Sequence, residues 1–249
     1  ITASTGNHGS AVAYVLKNFG INGAIYIPEN ATWSKVEVIR DHGANLEFYG
    51  DDCVITENYA REIAAEKDMI YIPPYNDMKI IGGQGTIATE IARQVIDIDA
   101  VFVPVGGGGL ISGIAGAMKS INKKIKIIGC QPKNSAVMAE SIKAGKILDI
   151  ESLPTLSDGT AGGIEEGSIT FDICQKYVDD FVLVSEEEIK EGIKLVLERH
   201  YKLIEGAAAL AVAGYIEMIE KFKNKTVVLV LSGAKISLEQ LKEVLSEGD

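Results

Sequence analysis

Ala100-Val-Phe-Val-Pro-Val105-Gly106-Gly-Gly-Gly109-Leu110-Ile-Ser-Gly-Ile-Ala115 decides the fold. A buried-type strand runs into four consecutive glycines and then into an apolar helical pattern, so the stretch reads as strand, turn and helix. Glycines at the opening of a helix leave backbone N–H groups unobstructed at its positive end, which makes a cradle for a phosphate. No Lys-Ser or Lys-Thr pair follows, so this is not a Walker loop, and Gly-x-Gly-x-x-Gly does not fit it either. A tight turn between closely packed helices would need only one glycine. In an open α/β sheet such a loop belongs at the carboxyl ends of the strands.

Outward from this loop, short β-rich runs alternate with helical patterns to both ends of the chain. Upstream, helices are expected over residues 9–19, 34–41, 55–67 and 85–96, with strands over 24–28, 46–49 and 69–72. Gly20 and Gly43 follow two of these helices, as glycine does at the left-handed position past a helix end. Downstream, strands are expected over 125–131, 181–184 and 226–231, with helices over 110–121, 137–144, 169–177, 185–203 and 206–219 and one opened by Ser237. Ser185 with Glu188, and Ser237 with Gln240, have capping-box spacing. Residues 153–166 read as a loop. The clearest break is Pro73-Pro74-Tyr75-Asn76-Asp77, because neither proline suits a helix interior or a central strand. A domain boundary is placed there, giving 1–74 and 75–249. Strands separated by helices call for right-handed crossovers and parallel sheets covered on both faces.

The chain has 24 Lys+Arg against 35 Asp+Glu, a net charge of -11, so its surface as a whole repels nucleic acid and anionic membranes. Apolar runs such as Thr226–Leu231 fall far short of the roughly 20 residues that span a bilayer. Cys53, Cys130 and Cys174 are widely spaced with no CxxC pair, so they read as reduced, mostly buried thiols of a cytosolic protein. The three histidines have no metal-ligand spacing. Ile1-Thr2-Ala3 is a strand stub that turns straight into a helix, and we expect residues of the fold ahead of it.

Other residues join the glycine loop as candidates. Ser4-Thr5-Gly6-Asn7-His8-Gly9 offers two hydroxyls, an amide, an imidazole and free N–H groups at a helix N-terminus, a set suited to a carboxylate, although plain capping would use the same residue types. Ser232, in Leu231-Ser232-Gly233-Ala234, closes a hydrophobic strand and faces a ligand or caps a helix. Asp158 and Glu205 put carboxylates in small or apolar surroundings, near the site or as structural groups.

Together these blocks resemble the serine/threonine dehydratase group of the pyridoxal-phosphate enzymes with the tryptophan-synthase-β fold (fold type II), a group that includes serine racemase. The blocks are Ser4–Gly9, Pro73-Pro74-Tyr75, Gly83-Gln84-Gly85-Thr86, Val103–Gly109, Asp158-Gly159, Asp179-Asp180, Glu205-Gly206 and Leu231-Ser232-Gly233, in the family's order. The resemblance implies two doubly wound, three-layer αβα parallel-sheet domains, a small substrate-loop domain at 1–74 and a large cofactor-binding domain at 75–249. It implies that Gly106, Gly107, Gly108, Gly109 and the Leu110 N–H hold the cofactor phosphate. Ser232 would contact the pyridine nitrogen and Asn7 the phenolic oxygen, with Glu205 also at the cofactor. Ser4, Thr5, Gly6 and His8, beside Asn7, would take the substrate carboxylate.

The implied activity is β-elimination and deamination of L-threonine or L-serine to a 2-oxo acid and ammonia. The family's Schiff-base lysine, in a Ser-x-Lys-x-Arg-Gly motif, would fall roughly 30 residues before Asn7. It is therefore expected ahead of Ile1, and no catalytic residue is assigned within 1–249. Lys235 is the nearest rival lysine, but its strand end addresses the ring-nitrogen side. A racemase places its second base, a serine, where Thr5 stands, and binds a divalent cation through a glutamate and an aspartate where Gln131 and Val137 stand. No metal site is therefore expected. Ser232-Gly233-Ala234-Lys235 departs from the dehydratases' Ser-Gly-Gly-Asn. Together with Ser4-Thr5-Gly6-Asn7-His8-Gly9 and Thr160-Ala161-Gly162-Gly163 it leans toward the dehydratase-like branch of ectoine and hydroxyectoine breakdown, which keeps a second substrate class open. A non-catalytic partner subunit with the cofactor fold is a third reading. We expect a homo-oligomer, dimer or tetramer, acting on a small amino acid, without nucleic acid or membrane. The chain stops soon after its last helix, so a regulatory amino-acid-binding domain is not expected.

Overall fold

The computed structural model describes residues 1–249 except 30, 32, 52 and 247–249, together with the side chains of 34, 35 and 53. The expected burial of Cys53 lies outside the described residues. The chain divides into two compact units, Ile1–Pro74 and Tyr75–Asp249.

The first unit carries β1 (Thr2–Ala3), α1 (Asn7–Phe19), β2 (Ala24–Ile27), α2 (Trp33–Asp41), β3 (Asn45–Phe48) and α3 (Cys53–Glu66). The strands form a parallel sheet in the order β1-β2-β3, with Ile25 opposite Leu46 and Thr2 opposite Ile25. Successive side chains of a strand point to opposite faces. Tyr26 thus packs with Ala60 and Ala64 of α3, while Ile25 and Ile27 pack with Ala13 of α1 and with Val36 and Ile39 of α2. Helix α1 ends as expected at Gly20, left-handed at φ 62°. It begins two residues before the expected start, at Asn7, so the candidate loop supplies its first turn. Residues 69–72 are not a strand. They run beside Ile1, with Ile72 N–H donating to Ile1 O at 2.8 Å, but β1 is too short to continue a ladder with them.

The second unit carries α4 (Met78–Gln94), β4 (Ala100–Pro104), α5 (Gly109–Ile121), β5 (Lys126–Pro132), α6 (Val137–Ala144), α7 (Ile169–Tyr177), β6 (Asp180–Val184), α8 (Glu186–His200), α9 (Gly206–Glu217), β7 (Val227–Leu229) and α10 (Leu238–Ser246). Its parallel sheet has the order β6-β5-β4-β7. Alternation along β4 builds a core on each face: Ala100 and Phe102 join α8 and α9, while Val101 and Val103 join α4, α5, α6 and α7. This is the three-layer αβα architecture that the alternating pattern called for.

Helix α4 starts at Met78, seven residues before the expected position. Asp77 Oδ1 accepts from Lys79 N–H at 2.6 Å and from Ile80 N–H at 3.2 Å, and so caps the helix ahead of Gly82 and Gly83. Its Gly85 packs on Gly113 of α5, where a methyl group on Gly113 would run into Ile81 O and lie 2.6 Å from Gly85 N. Helix α8 opens with the Ser185–Glu188 capping box and stops at Tyr201, left-handed at φ 54°, three residues short of the expected end.

Asp179, just before β6, ties three segments together. Lys119 Nζ donates to its Oδ2 at 2.6 Å, Ile127 N–H donates to the same oxygen at 2.8 Å, and Lys126 Nζ stands 3.1 Å from Oδ1. Burial alone would raise the Asp179 carboxyl, but the Lys119, Ile127 and Lys126 bonds outweigh it and hold the group below the usual carboxylate range. A carboxyl depressed in the folded state adds stability above its unfolded pKa and loses it as pH falls through the folded value. Asp179→Asn is expected to cost about 1 kcal/mol at pH 7, a figure reduced for water screening of this partly exposed group. Urea midpoints should show the gap to wild type closing as pH drops below about 4. A gap that is constant with pH would contradict the assignment.

Candidate functional site

Strands β4 and β7 lie side by side, with Phe102 opposite Leu229 and Val230 N–H donating to Phe102 O at 3.0 Å. The glycine loop leaving β4 and Ser232 beyond β7 therefore reach the same carboxyl end of the sheet, where open α/β sheets bind ligands. Gly108 is left-handed at φ 88° and opens α5. Among the described residues, the backbone N–H groups of Gly107, Gly108, Gly109 and Leu110 have no hydrogen-bond partner. A buried N–H left unpaired costs about 1–3 kcal/mol. Four unpaired groups at the positive end of a helix, those of Gly108 and Gly109 on buried residues, suit an anionic acceptor, and a phosphate fits them.

The glycines are required for a reason the sequence did not reveal. A Cβ on Gly107 would lie 2.5 Å from Tyr75 Cδ1, and one on Gly109 would lie 2.9 Å from Tyr75 Cβ. On Gly106 it would meet the Thr160 backbone at 3.0 Å, and on Gly108 it would meet Met138 Cε at 2.7 Å. The loop is thus clasped by Tyr75, Thr160 and Met138, and Thr170 Oγ1 donates to Gly107 O at 2.6 Å. Tyr75 is itself fixed, its hydroxyl accepting from Glu165 N–H at 2.9 Å, and Asn76 Oδ1 accepts from Ile169 N–H at 3.0 Å. Tyr75, Asn76, Thr160 and Thr170 acquire these roles only through contacts distant in sequence, which the local stretches Pro73–Asp77 and Thr160–Gly163 did not announce.

Glu205 is 8% exposed and sits before the first turn of α9. Its N–H donates to Gly233 O at 3.2 Å and its Oε2 accepts from Lys235 N–H at 3.0 Å. Gly159 would place a Cβ 3.7 Å from Glu205 Oε1, and a Cβ on Gly233 would run into the carboxylate itself. Glu205, Gly159, Gly233 and Ser232 thus gather at the same end of the sheet, with Ser232 exposed. Asp158 is also exposed, in a one-turn helix. Burial pushes the Lys235 ammonium below its usual range, and the Glu205 carboxylate opposes the shift. The Cys174 thiol, buried beside Ser112, is pushed up to about 12, and Cys130 is buried and raised likewise. Neither supplies a thiolate.

Gln131, 1% exposed, donates through Nε2 to Val105 O at 3.2 Å and to Ser135 O at 3.4 Å, while its Oε1 accepts from Ala139 N–H at 2.7 Å. Val137 is a buried apolar residue of α6.

In the first unit, Ser4, Thr5 and Gly6 lead into α1. Ser4 Oγ accepts from Gly6 N–H at 3.2 Å. A side chain on Gly9 would run into the Ser4 carbonyl, so the loop folds closely against the helix start. The His8 ring turns inward: its Nε2 lies 2.9 Å from Thr2 Oγ1 and 3.2 Å from Ile72 O. The Thr2 hydroxyl already donates to Ile72 O at 2.7 Å, so the His8 nitrogen is the donor to both oxygens. Burial pushes the imidazole below its usual range, against the Ile72 bond, and keeps it neutral. Asn7 is exposed in the first turn of α1.

No helix among the described residues is long and apolar enough to cross a membrane. The chain is 38% identical over 250 residues to an L-threonine ammonia-lyase of Thermotoga maritima, covering all of this chain and 61% of that protein. It is 39% identical over 246 residues to a catabolic L-threonine dehydratase of Escherichia coli K12, covering 98% of this chain and 74% of that protein. The chain thus spans about three fifths to three quarters of the length of these relatives. Among solved structures, the processed form of threonine deaminase isoform 2 from Solanum lycopersicum superposes with a TM-score of 0.91 at 37% identity, over 98% of this chain and 72% of that one. Maize serine racemase does so with a TM-score of 0.90 at 32% identity, over 99% and 76%. The model of the pyridoxal-phosphate dependent enzymes matches residues 1–233, and with the unpaired N–H groups at the glycine loop and relatives at this identity over its whole length, the chain belongs to that family.

Proposed function

We propose that the protein deaminates L-threonine or L-serine by β-elimination, giving a 2-oxo acid and ammonia, as a cytosolic homo-oligomer. The observation that carries this reading is identity of 38–39% with an L-threonine ammonia-lyase and an L-threonine dehydratase over 98–100% of the chain. The unpaired N–H groups at the glycine loop support it. Pyridoxal phosphate supplies an electron sink conjugated to Cα of the bound amino acid, which acidifies the Cα–H bond.

The chain's own residues hold and orient. Gly107, Gly108, Gly109 and the Leu110 N–H take the phosphate, while Ser232 takes the ring nitrogen. A neutral serine hydroxyl adds no proton to that nitrogen, which suits elimination of a β-hydroxyl. Glu205 keeps the strand end that carries Ser232 in place through Gly233 and Lys235. Asn7 is assigned to the cofactor's phenolic oxygen. Ser4, Thr5 and Gly6 and the first-turn N–H groups of α1 take the substrate carboxylate, and His8 serves by holding that loop against Thr2 and Ile72.

Thr5 stands at the place expected for a racemase's second base, so elimination should outrun racemisation. The test follows 2-oxobutanoate from L-threonine and pyruvate from L-serine, with D-serine measured in the same samples. Oxo acid with equimolar ammonia, formed faster than D-serine, is the expected result. D-serine forming faster than pyruvate, or no oxo acid from either substrate, would overturn the proposal.

A further inference from the structure

Gln131 is a buried polar residue that no step of the reading above uses, and its bonds reach three segments that border the glycine loop. Only one orientation of its amide fits its surroundings, because Nε2 faces two carbonyl oxygens and Oε1 faces an N–H. The first carbonyl belongs to Val105, the residue before Gly106, and Val105 N–H is itself bonded to Cys130 O at 2.9 Å. The N–H belongs to Ala139 in the first turn of α6, a helix with no cap from its own N-cap residue, so Gln131 caps it from β5. The neighbouring Met138 stands against Gly108. The second carbonyl belongs to Ser135, whose Oγ accepts from Gly162 N–H at 3.1 Å, two residues beyond the Thr160 backbone that abuts Gly106.

From this arrangement we infer that Gln131 is a positioning residue for the phosphate seat, setting Gly106–Gly109 between the root of the loop at Val105 and its contacts at Met138 and Thr160. The inference rests on the phosphate reading of the loop. A residue that merely supported the fold would affect every ligand equally when removed. One that aims the loop changes the advantage that a phosphate gives.

The test compares the affinities of the full protein for pyridoxal phosphate and for pyridoxal, which lacks the phosphate. Gln131→Met keeps the length of the side chain and removes all three bonds. It is expected to weaken pyridoxal phosphate binding about tenfold or more while changing pyridoxal binding less than about twofold. Should Gln131→Met fail to fold, Gln131→Glu decides, since it keeps an acceptor for Ala139 N–H and loses the paired donations to Val105 O and Ser135 O. It is expected to give a loss of about threefold for the phosphate form alone. Unchanged affinities, or equal losses for both ligands, in the variant that decides would overturn the role of Gln131. A wild-type protein that binds pyridoxal as tightly as pyridoxal phosphate would instead overturn the phosphate reading itself.

Discussion

Gly107→Val should lose pyridoxal phosphate on dialysis under conditions in which the wild-type protein keeps it. The first atom of any side chain at this position would stand 2.5 and 2.6 Å from Tyr75 Cδ1 and Cε1, inside contact distance. Tyr75 cannot simply swing away, because its hydroxyl is bonded to Glu165 N–H. The loop must therefore move, and with it the N–H groups of Gly107, Gly108 and Gly109 and the Thr170 bond to Gly107 O. Losing two hydrogen bonds to a charged acceptor, at about 1.5–3 kcal/mol each, weakens binding by about a hundredfold or more. Tyr75→Ala in the same chain opens the space and should recover part of the loss, whereas a side chain that blocked the phosphate directly would leave the double variant as weak as the single one. Gly82→Ala, where nothing stands within 4 Å, serves as the control and should bind normally.

The largest effect on stability is expected from Gly113→Ala. Its methyl group would meet Ile81 O and Gly85 N, both backbone atoms, so α4 and α5 could accept it only by separating. Overpacking of this kind costs about 3 kcal/mol. Gly116→Ala, three residues along the same helix, meets nothing within 4 Å and should stabilise by about 0.5–1 kcal/mol through helix propensity. Urea unfolding followed by circular dichroism separates the two. Similar midpoints for both variants would mean that the helices do not approach as closely as Gly85 and Gly113 place them.

These two glycines show what the sequence made legible and what it did not. The strand, glycine loop and helix around Gly106 could be read directly, since local residue types set all three. The Ser185–Glu188 box and the Gly20 helix end are local in the same sense, and both formed as expected. The start of α4 was missed because Gly82, Gly83 and Gly85 weigh against a helix, whereas packing on α5 rewards Gly85 and Asp77 caps the exposed end. The need for four glycines was legible only as a seat for a phosphate. Its steric half comes from Tyr75, thirty-two residues upstream of Gly107, and from Thr160 and Met138 downstream. His8 was read as a ligand group from its place in the loop, yet its ring is taken up by Thr2 and Ile72, and the second of these lies sixty-four residues away. Gln131 drew notice only as a substitution relative to the racemases. Its bonds to Val105 and Ala139 cross between segments and leave no periodic trace.

The central claim is that the N–H groups of Gly107, Gly108, Gly109 and Leu110 are the phosphate seat. A crystal structure of the full protein grown with pyridoxal phosphate tests it most directly. The account predicts phosphate oxygens about 2.7–3.1 Å from at least three of these nitrogens, with Ser232 Oγ facing the pyridine nitrogen. A phosphate bound elsewhere, with these N–H groups still unpaired, would contradict it.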